Sequence, residues 1–318
     1  MQLQVTRARA LALTGLAGAF AFFPTRGRAQ GAPKTIRISG FPADSYSEPY
    51  YAVEQGLISR AGINLEIVYQ SNAGGVAPLV MGDTIDVGMG DPVQVANPYL
   101  AGVPLAIFGG SGLYSTTAPT TVMVAANGST LGKPKDFEGK TIALISLASL
   151  SSLATRKWLR QGGADETKVR LVELPFGSIV PALQRGTIDG ALLSEPFLSL
   201  NRDNVRVIAK PFDAIAKSFY ISTFFAKRSW LQTNRDLAHA FLGAMYEAGK
   251  WANAHQSESA TILSKYSKLD LDQVRSMTRV SYATTFEANH IQPVLDIALQ
   301  YGQITRSVNA TAIMMAVN

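Results

Sequence analysis

From Lys34 to Gly40 the chain alternates apolar and polar positions, KTIRISG, the period-two pattern of a strand with one buried face. Ser47-Glu48-Pro49 reads as a helix start: serine can cap, glutamate suits the positive dipole end, and proline is tolerated in the first turn. The helix runs through Tyr50–Gln55 to a stop at Gly56. Strands follow at Asn64–Tyr69, Ile85–Met89 and Pro104–Gly109, with a helix over Val76–Met81 and another opened by Asp91-Pro92. The same rhythm resumes after the Gly/Pro/Lys-rich stretch Asn127–Pro134. Strands are predicted at Thr141–Ile145, Val169–Leu174 and Ile188–Leu193, and helices at Ser152–Leu159, Ile179–Gln184 and from Pro196. Beyond Trp230 the pattern turns helical: Asp236–Ala254, Ser257–Tyr266, Leu271–Ser281 and Gln292–Gly302. Alternating strands and helices imply an α/β fold with a largely parallel sheet, here in two units followed by a helical tail.

The two units resemble each other. Val76–Asp86 (VAPLVMGDTID) aligns with Ile179–Asp189 (IVPALQRGTID), each with proline eight residues before the aspartate and each ending in Thr-Ile-Asp. Shortly beyond stand Asp91-Pro92 and Glu195-Pro196, each between a strand and a helix. The functional reading is two lobes of like topology. The bland reading is a common way of turning a helix into a strand.

Charge changes the picture less than it first suggests. The 318 residues hold 29 Lys+Arg against 23 Asp+Glu, a net +6 that hints at nucleic acid. Arg7, Arg9, Arg26 and Arg28 lie in residues 1–29, which hold no acidic residue; without them 25 basic face 23 acidic residues, a net +2. Residues 10–23 are nearly all apolar, too short a run to cross a bilayer, and Gly27-Arg28-Ala29 offers small residues for cleavage. Residues 1–29 are therefore expected to be a signal peptide, and the mature chain periplasmic, with no nucleic-acid partner. The absence of cysteine excludes disulfides, thiolate metal sites, Cys nucleophiles and a lipid anchor on cysteine. Three scattered histidines leave little for a metal, and no nucleophile elbow, zinc helix or dinucleotide fingerprint is present. No catalytic residue, metal or cofactor is expected.

In open α/β sheets ligands bind beyond the carboxyl ends of the strands. There this chain places Tyr46, Ser47, Asn72, Gly74, Gly75, Asp91, Tyr114, Ser149, Ser151, Ser152, Glu195 and Tyr220. Ser149-Leu-Ser-Ser152, just before the helix carrying Trp158, offers hydroxyls and helix N–H groups to an anion; the bland alternative is an N-cap with solvated neighbours. Asn72-Ala-Gly-Gly75 lets backbone approach a ligand, or is simply a turn. Asp91 and Glu195 either cap helices or meet a hydroxyl or N–H group of the ligand. The three tyrosines stack on or hydrogen-bond a ligand, or pack ordinarily.

Ala52-Val-Glu-Gln-Gly-Leu57, Ala61-Gly-Ile63, Gly74, Thr84-Ile-Asp-Val-Gly88, Asp136-Phe-Glu-Gly-Lys140, Leu159-Arg-Gln-Gly162, Gly186-Thr-Ile-Asp189 and Glu195-Pro196 recur in this order over residues 34–265. The series resembles the ABC-importer substrate-binding proteins of the nitrate/sulfonate/taurine family, which are related to thiamin pyrimidine-precursor binding proteins. The resemblance implies a type II periplasmic-binding-protein fold: two α/β lobes joined by two crossover segments, with the helical C-terminal tail packed on lobe 1. Lobe 1 would comprise residues 34–127 plus 219–318 and lobe 2 residues 128–218, with Thr121–Ala125 and Phe219–Ala226 as the crossings. It implies a monomer that binds a small organic anion between the lobes and delivers it to a permease with its ATPase. A pyrimidine-precursor binder, or a lyase or dehydratase on the same fold using Asp91 or Glu195, are the alternatives. Family members usually carry Gly-Ser where this chain has Ala148-Ser149, and many carry an aromatic residue where it has Ser194.

Overall fold

The computed structural model describes residues 33–41, 43–70, 75–267 and 269–317. The predicted signal peptide, residues 1–29, lies outside them. Thirteen strands appear among the described residues. They are β1 Lys34–Gly40, β2 Ile63–Tyr69, β3 Gly88–Gly90, β4 Leu105–Gly110, β5 Gly112–Ser115, β6 Thr121–Ala126 and β7 Thr141–Leu144. The chain continues with β8 Arg170–Glu173, β9 Gly190–Ser194, β10 Val205–Ala209, β11 Ser218–Tyr220, β12 Thr223–Lys227 and β13 Ser281–Tyr282.

One five-stranded sheet runs β8-β7-β9-β6-β10, with β7 parallel to both neighbours and β6 antiparallel to both of its own. Two smaller sheets reproduce that arrangement. β1 pairs in parallel with β2, and β12 runs antiparallel between β3 and β4. A bridge from Ile38 to Val87 and a hydrogen bond from Met89 N–H to Ser39 Oγ (2.8 Å) bring β1 and β3 together, so the strands read β2-β1-β3-β12-β4. Order and strand sense are the same in both sets. The expected parallel sheet thus gains one reversed strand in each unit: β12 reaches back from after the second set, and β6 leads into it. A third sheet, β11-β5-β13, is wholly antiparallel.

The repeated Thr-Ile-Asp has the same task twice. Asp86 Oδ2 accepts from Arg37 N–H of β1, and Asp189 Oδ2 accepts from Thr141 N–H of β7, both at 2.8 Å. In return Asp86 N–H donates to Arg37 O and Asp189 N–H to Thr141 O. Each aspartate therefore satisfies a strand-edge amide that a short loop would leave unpaired. The turn before it needs a left-handed residue, supplied by Asp83 (φ 58°) in one copy and Gly186 (φ 68°) in the other.

Apolar positions three and four apart along helix Arg235–Ala254, among them Phe241, Met245, Ala248 and Ala252, are buried. Gly249 lets this helix approach closely, since a Cβ there would meet Glu48 Oε1 at 2.8 Å and Tyr282 Cβ at 2.9 Å. The helix predicted over Leu271–Ser281 ends at Ser276, because Ser281–Tyr282 pair with β5 and Val280 N–H donates to buried Asp44. No helix among the described residues is long and apolar enough to cross a membrane.

Candidate functional site

β3 ends in Gly90, and Asp91 follows with extended backbone (φ −77°, ψ 161°). Its Oδ1 accepts from Val93 N–H (2.9 Å) and Gln94 N–H (3.3 Å), and Pro92 fills the first helical position, where no amide is needed. The capping reading of Asp91 is correct, and it is incomplete. Its Oδ2 accepts from Leu150 N–H (3.0 Å), the first residue of helix Leu150–Gln161, which follows β7 of the other strand set. Ser149 stands at the N-cap of that helix but makes no cap bond; its Oγ donates to Ser146 O (2.8 Å). One carboxylate thus serves two helix N-termini. Burial pushes the Asp91 carboxyl up to about 6 while the three amides pull it down.

Around Asp91 lies a cavity of about 40 Å³, room for little more than water. Four of the predicted residues line it: Tyr46, Asp91, Ser149 and Ser151. Burial and the charge of Asp91 push the Tyr46 phenol above its usual range. The helix begins earlier than predicted, so Ser151 and Ser152 fall in its first turn; Ser151 faces the cavity, while Ser152 is buried and off its wall. Ser47 turns its Oγ to Ala43 O (3.2 Å). Gly75 precedes helix Val76–Met81 and is not on the cavity wall. Asn72 and Gly74 lie outside the described residues.

The remaining candidates are engaged elsewhere. Glu195 accepts from Ser199 N–H and Ser199 Oγ (both 3.0 Å), holding the helix that follows it, and its backbone oxygen accepts from Asp44 N–H (3.2 Å). Tyr114 donates to Asp213 (2.5 Å) and stands behind Phe212, whose ring is 5.4 Å away and does line the cavity. Tyr220 donates to Thr285 O (2.9 Å) and accepts from Glu287 N–H (3.1 Å).

Sequence reasoning missed Ser45, Gln94, Thr121 and Phe176 on the wall. Gln94 carries the clearest signal, one turn beyond the capping aspartate on the same helix face. Its Oε1 is buried without a partner among the described residues. Thr121 and Ser194 share a hydrogen bond (2.7 Å) where the two strands β6 and β9 meet. Ser194 thus fills, with a hydroxyl, the place where an aromatic ring is common in the resembled family. Asp91 is the only charged residue among the described residues of the wall. Beside the cavity, Asp44 and Arg279 form a buried ion pair (3.1 Å), with Arg279 also donating to Tyr51 Oη (2.7 Å). No group of three metal-ligating side chains occurs among the described residues.

The sequence profile of the NMT1/THI5-like family matches residues 45–259. A curated relative from Bacillus subtilis, YtlA, named as a binding protein, is 32% identical over 89 residues, which are 28% of this chain. The match spans only 27% of that relative's length. Among solved structures, the alkanesulfonate-binding protein SsuA of Xanthomonas axonopodis superposes with a TM-score of 0.75 at 18% identity, over 89% of this chain and 99% of that one. A ligand-binding component of an ABC-type import system from Staphylococcus aureus superposes with a TM-score of 0.76 at 15% identity, over 89% and 97%. At such identities the likeness is one of fold, the two-lobed periplasmic-binding-protein fold.

Proposed function

The chain belongs to the NMT1/THI5-like family, and from that premise we propose that it is the solute-binding component of an ABC importer in a periplasmic space. The ligand is a small organic anion of the sulfonate, taurine, nitrate or aromatic carboxylate class. Lobe 1 (residues 34–127 plus 219–318) and lobe 2 (residues 128–218) enclose it, and Thr121–Ala125 and Phe219–Ala226 are the crossings. The partners are a permease and its ATPase, and the binding protein works as a monomer. The observation that carries this reading is the convergence of two helix N-termini, at Pro92 and Leu150, on one hydroxyl-lined cavity between two strand sets of like order. Helix N-termini favour negative charge, and the facing sets give the cleft two walls that can part. The names of the structural neighbours support the transport role and the anion class.

A second reading, a pyrimidine precursor, is favoured by Asp91, an acceptor suited to amino and ring N–H groups. Mass spectrometry of small molecules released from the purified protein tests both, followed by thermal-shift titration with sulfonates, carboxylates and pyrimidines. A sulfonate or carboxylate that raises the melting temperature supports the first; stabilisation by pyrimidines alone replaces it with the second.

A further inference from the structure

We propose that Asp91 is the cleft's own competitor for its anionic ligand: its carboxylate occupies the amide at the start of helix Leu150–Gln161, and a ligand's anionic group displaces it on binding. The proposal rests on the anion reading of the cleft and adds what sets affinity there.

Four observations carry it. The bond from Leu150 N–H to Asp91 Oδ2 (3.0 Å) joins residues 59 apart, one after β3 and one after β7, and so ties the two strand sets across the cavity. Asp91 does not need that bond to cap its own helix, because Oδ1 alone accepts from Val93 and Gln94. The residue placed to cap the second helix, Ser149, is turned away to Ser146 O, so a carboxylate from elsewhere in the fold takes the place that an incoming anion would take. Gln94, on the same wall, has its Oε1 buried and without a partner among the described residues, a second polar group there that the fold itself leaves unsatisfied.

The consequence is specific. With Asp91 in place the cavity measures about 40 Å³, and the only charged residue among the described residues of its wall is negative. A simple anion then has to break the Asp91–Leu150 bond and sit beside the displaced carboxylate, with no Lys, Arg or His on the described wall to offset it. Removing the charge while keeping the cap removes that opposition. Asp91→Asn keeps an oxygen for Val93 and Gln94; Asp91→Ser is a shorter cap that cannot span to Leu150.

The test uses ethanesulfonate and nitrate as probes, by calorimetry at low salt on the exported protein. Both variants are expected to bind the probes at least about tenfold more tightly than the wild type; equal or weaker binding overturns the proposal. A second arm reads the latch without ligand. The chain has no cysteine, so spin labels at Lys250→Cys and Arg170→Cys, both exposed, report the separation of the two lobes. The Asp91→Ser background is expected to shift the ligand-free distances outward, and unchanged distances overturn the latch. If no form binds either probe, the anion reading of the cleft fails, and the distance arm alone decides whether Asp91 holds the cleft shut.

Discussion

Glu48 is fully buried, with Ser111 Oγ donating to its Oε2 (2.7 Å) and no partner among the described residues for Oε1. Burial pushes its carboxyl well above the usual range, against the pull of the serine. A carboxyl whose folded pKa is raised contributes stability that is full below the unfolded value, near 4, and is lost as pH rises through the folded value. Asp91 acts in the same direction, over a window from about 4 to about 6. Melting temperature is therefore expected to fall as pH rises from about 4 through about 6, and to go on falling as Glu48 ionises above that. Glu48→Gln and Asp91→Asn should each flatten the curve; a variant with the wild-type slope would show that its carboxyl is not the cause. At the cavity the hydroxyls matter through the ligand. Ser151→Ala is expected to weaken ligand affinity about fivefold to tenfold, through a lost hydrogen bond to a charged group. Calorimetry with the ligand identified by mass spectrometry checks it, and unchanged affinity would remove this helix start from the site.

Among elements, the two Thr-Ile-Asp turns make the same bond to the first strand of each set, and so make matched predictions. Asp86→Ala and Asp189→Ala each leave a strand-edge amide unpaired and should cost about 1–3 kcal/mol in urea unfolding. The two sites lie in different sheets, so the double variant should show the sum; a large interaction would mean that the sheets are coupled more tightly than the topology suggests. These turns were legible because their pattern is local: a helix, a left-handed residue and a strand, all within eleven positions. β1 and helix Val76–Met81 have their predicted bounds for the same reason, each carrying its own periodicity. β5, β11 and β13 were not legible. They are two to four residues long and exist only through pairing with partners up to about 170 positions away, which no short window contains. β3 was expected from Ile85 and begins at Gly88, since residues 85–87 touch β1 through a single bridge and not a ladder. The site divides likewise. Asp91 as a cap follows from Asp-Pro before a helix, whereas its bond to Leu150 and the Thr121–Ser194 pair join segments that only the tertiary fold brings together.

For the whole molecule, the proposed lobes touch at points that no ligand need contact. Gln303 Nε2 donates to Leu147 O (3.1 Å), and Arg160 lies over the Tyr301 ring at 4.6 Å. Contacts of this kind favour the closed form by on the order of 1 kcal/mol, whether or not the cleft is filled. Their effect on affinity therefore depends on what the empty protein does. If Asp91 already holds the empty cleft shut, the same contacts stabilise the empty and the filled closed forms alike, and removing them cancels. If the empty cleft is open, the contacts form only on binding, and removing them appears in full in the affinity. Tyr301→Ala with Gln303→Ala is accordingly expected to change ligand affinity by less than about twofold in the wild type, and to weaken it about fivefold in the Asp91→Ser background. Calorimetry on the four proteins measures that difference. Equal losses in both backgrounds would mean that the empty cleft stands open even with Asp91 present, and that the Leu150 bond is too weak to close it.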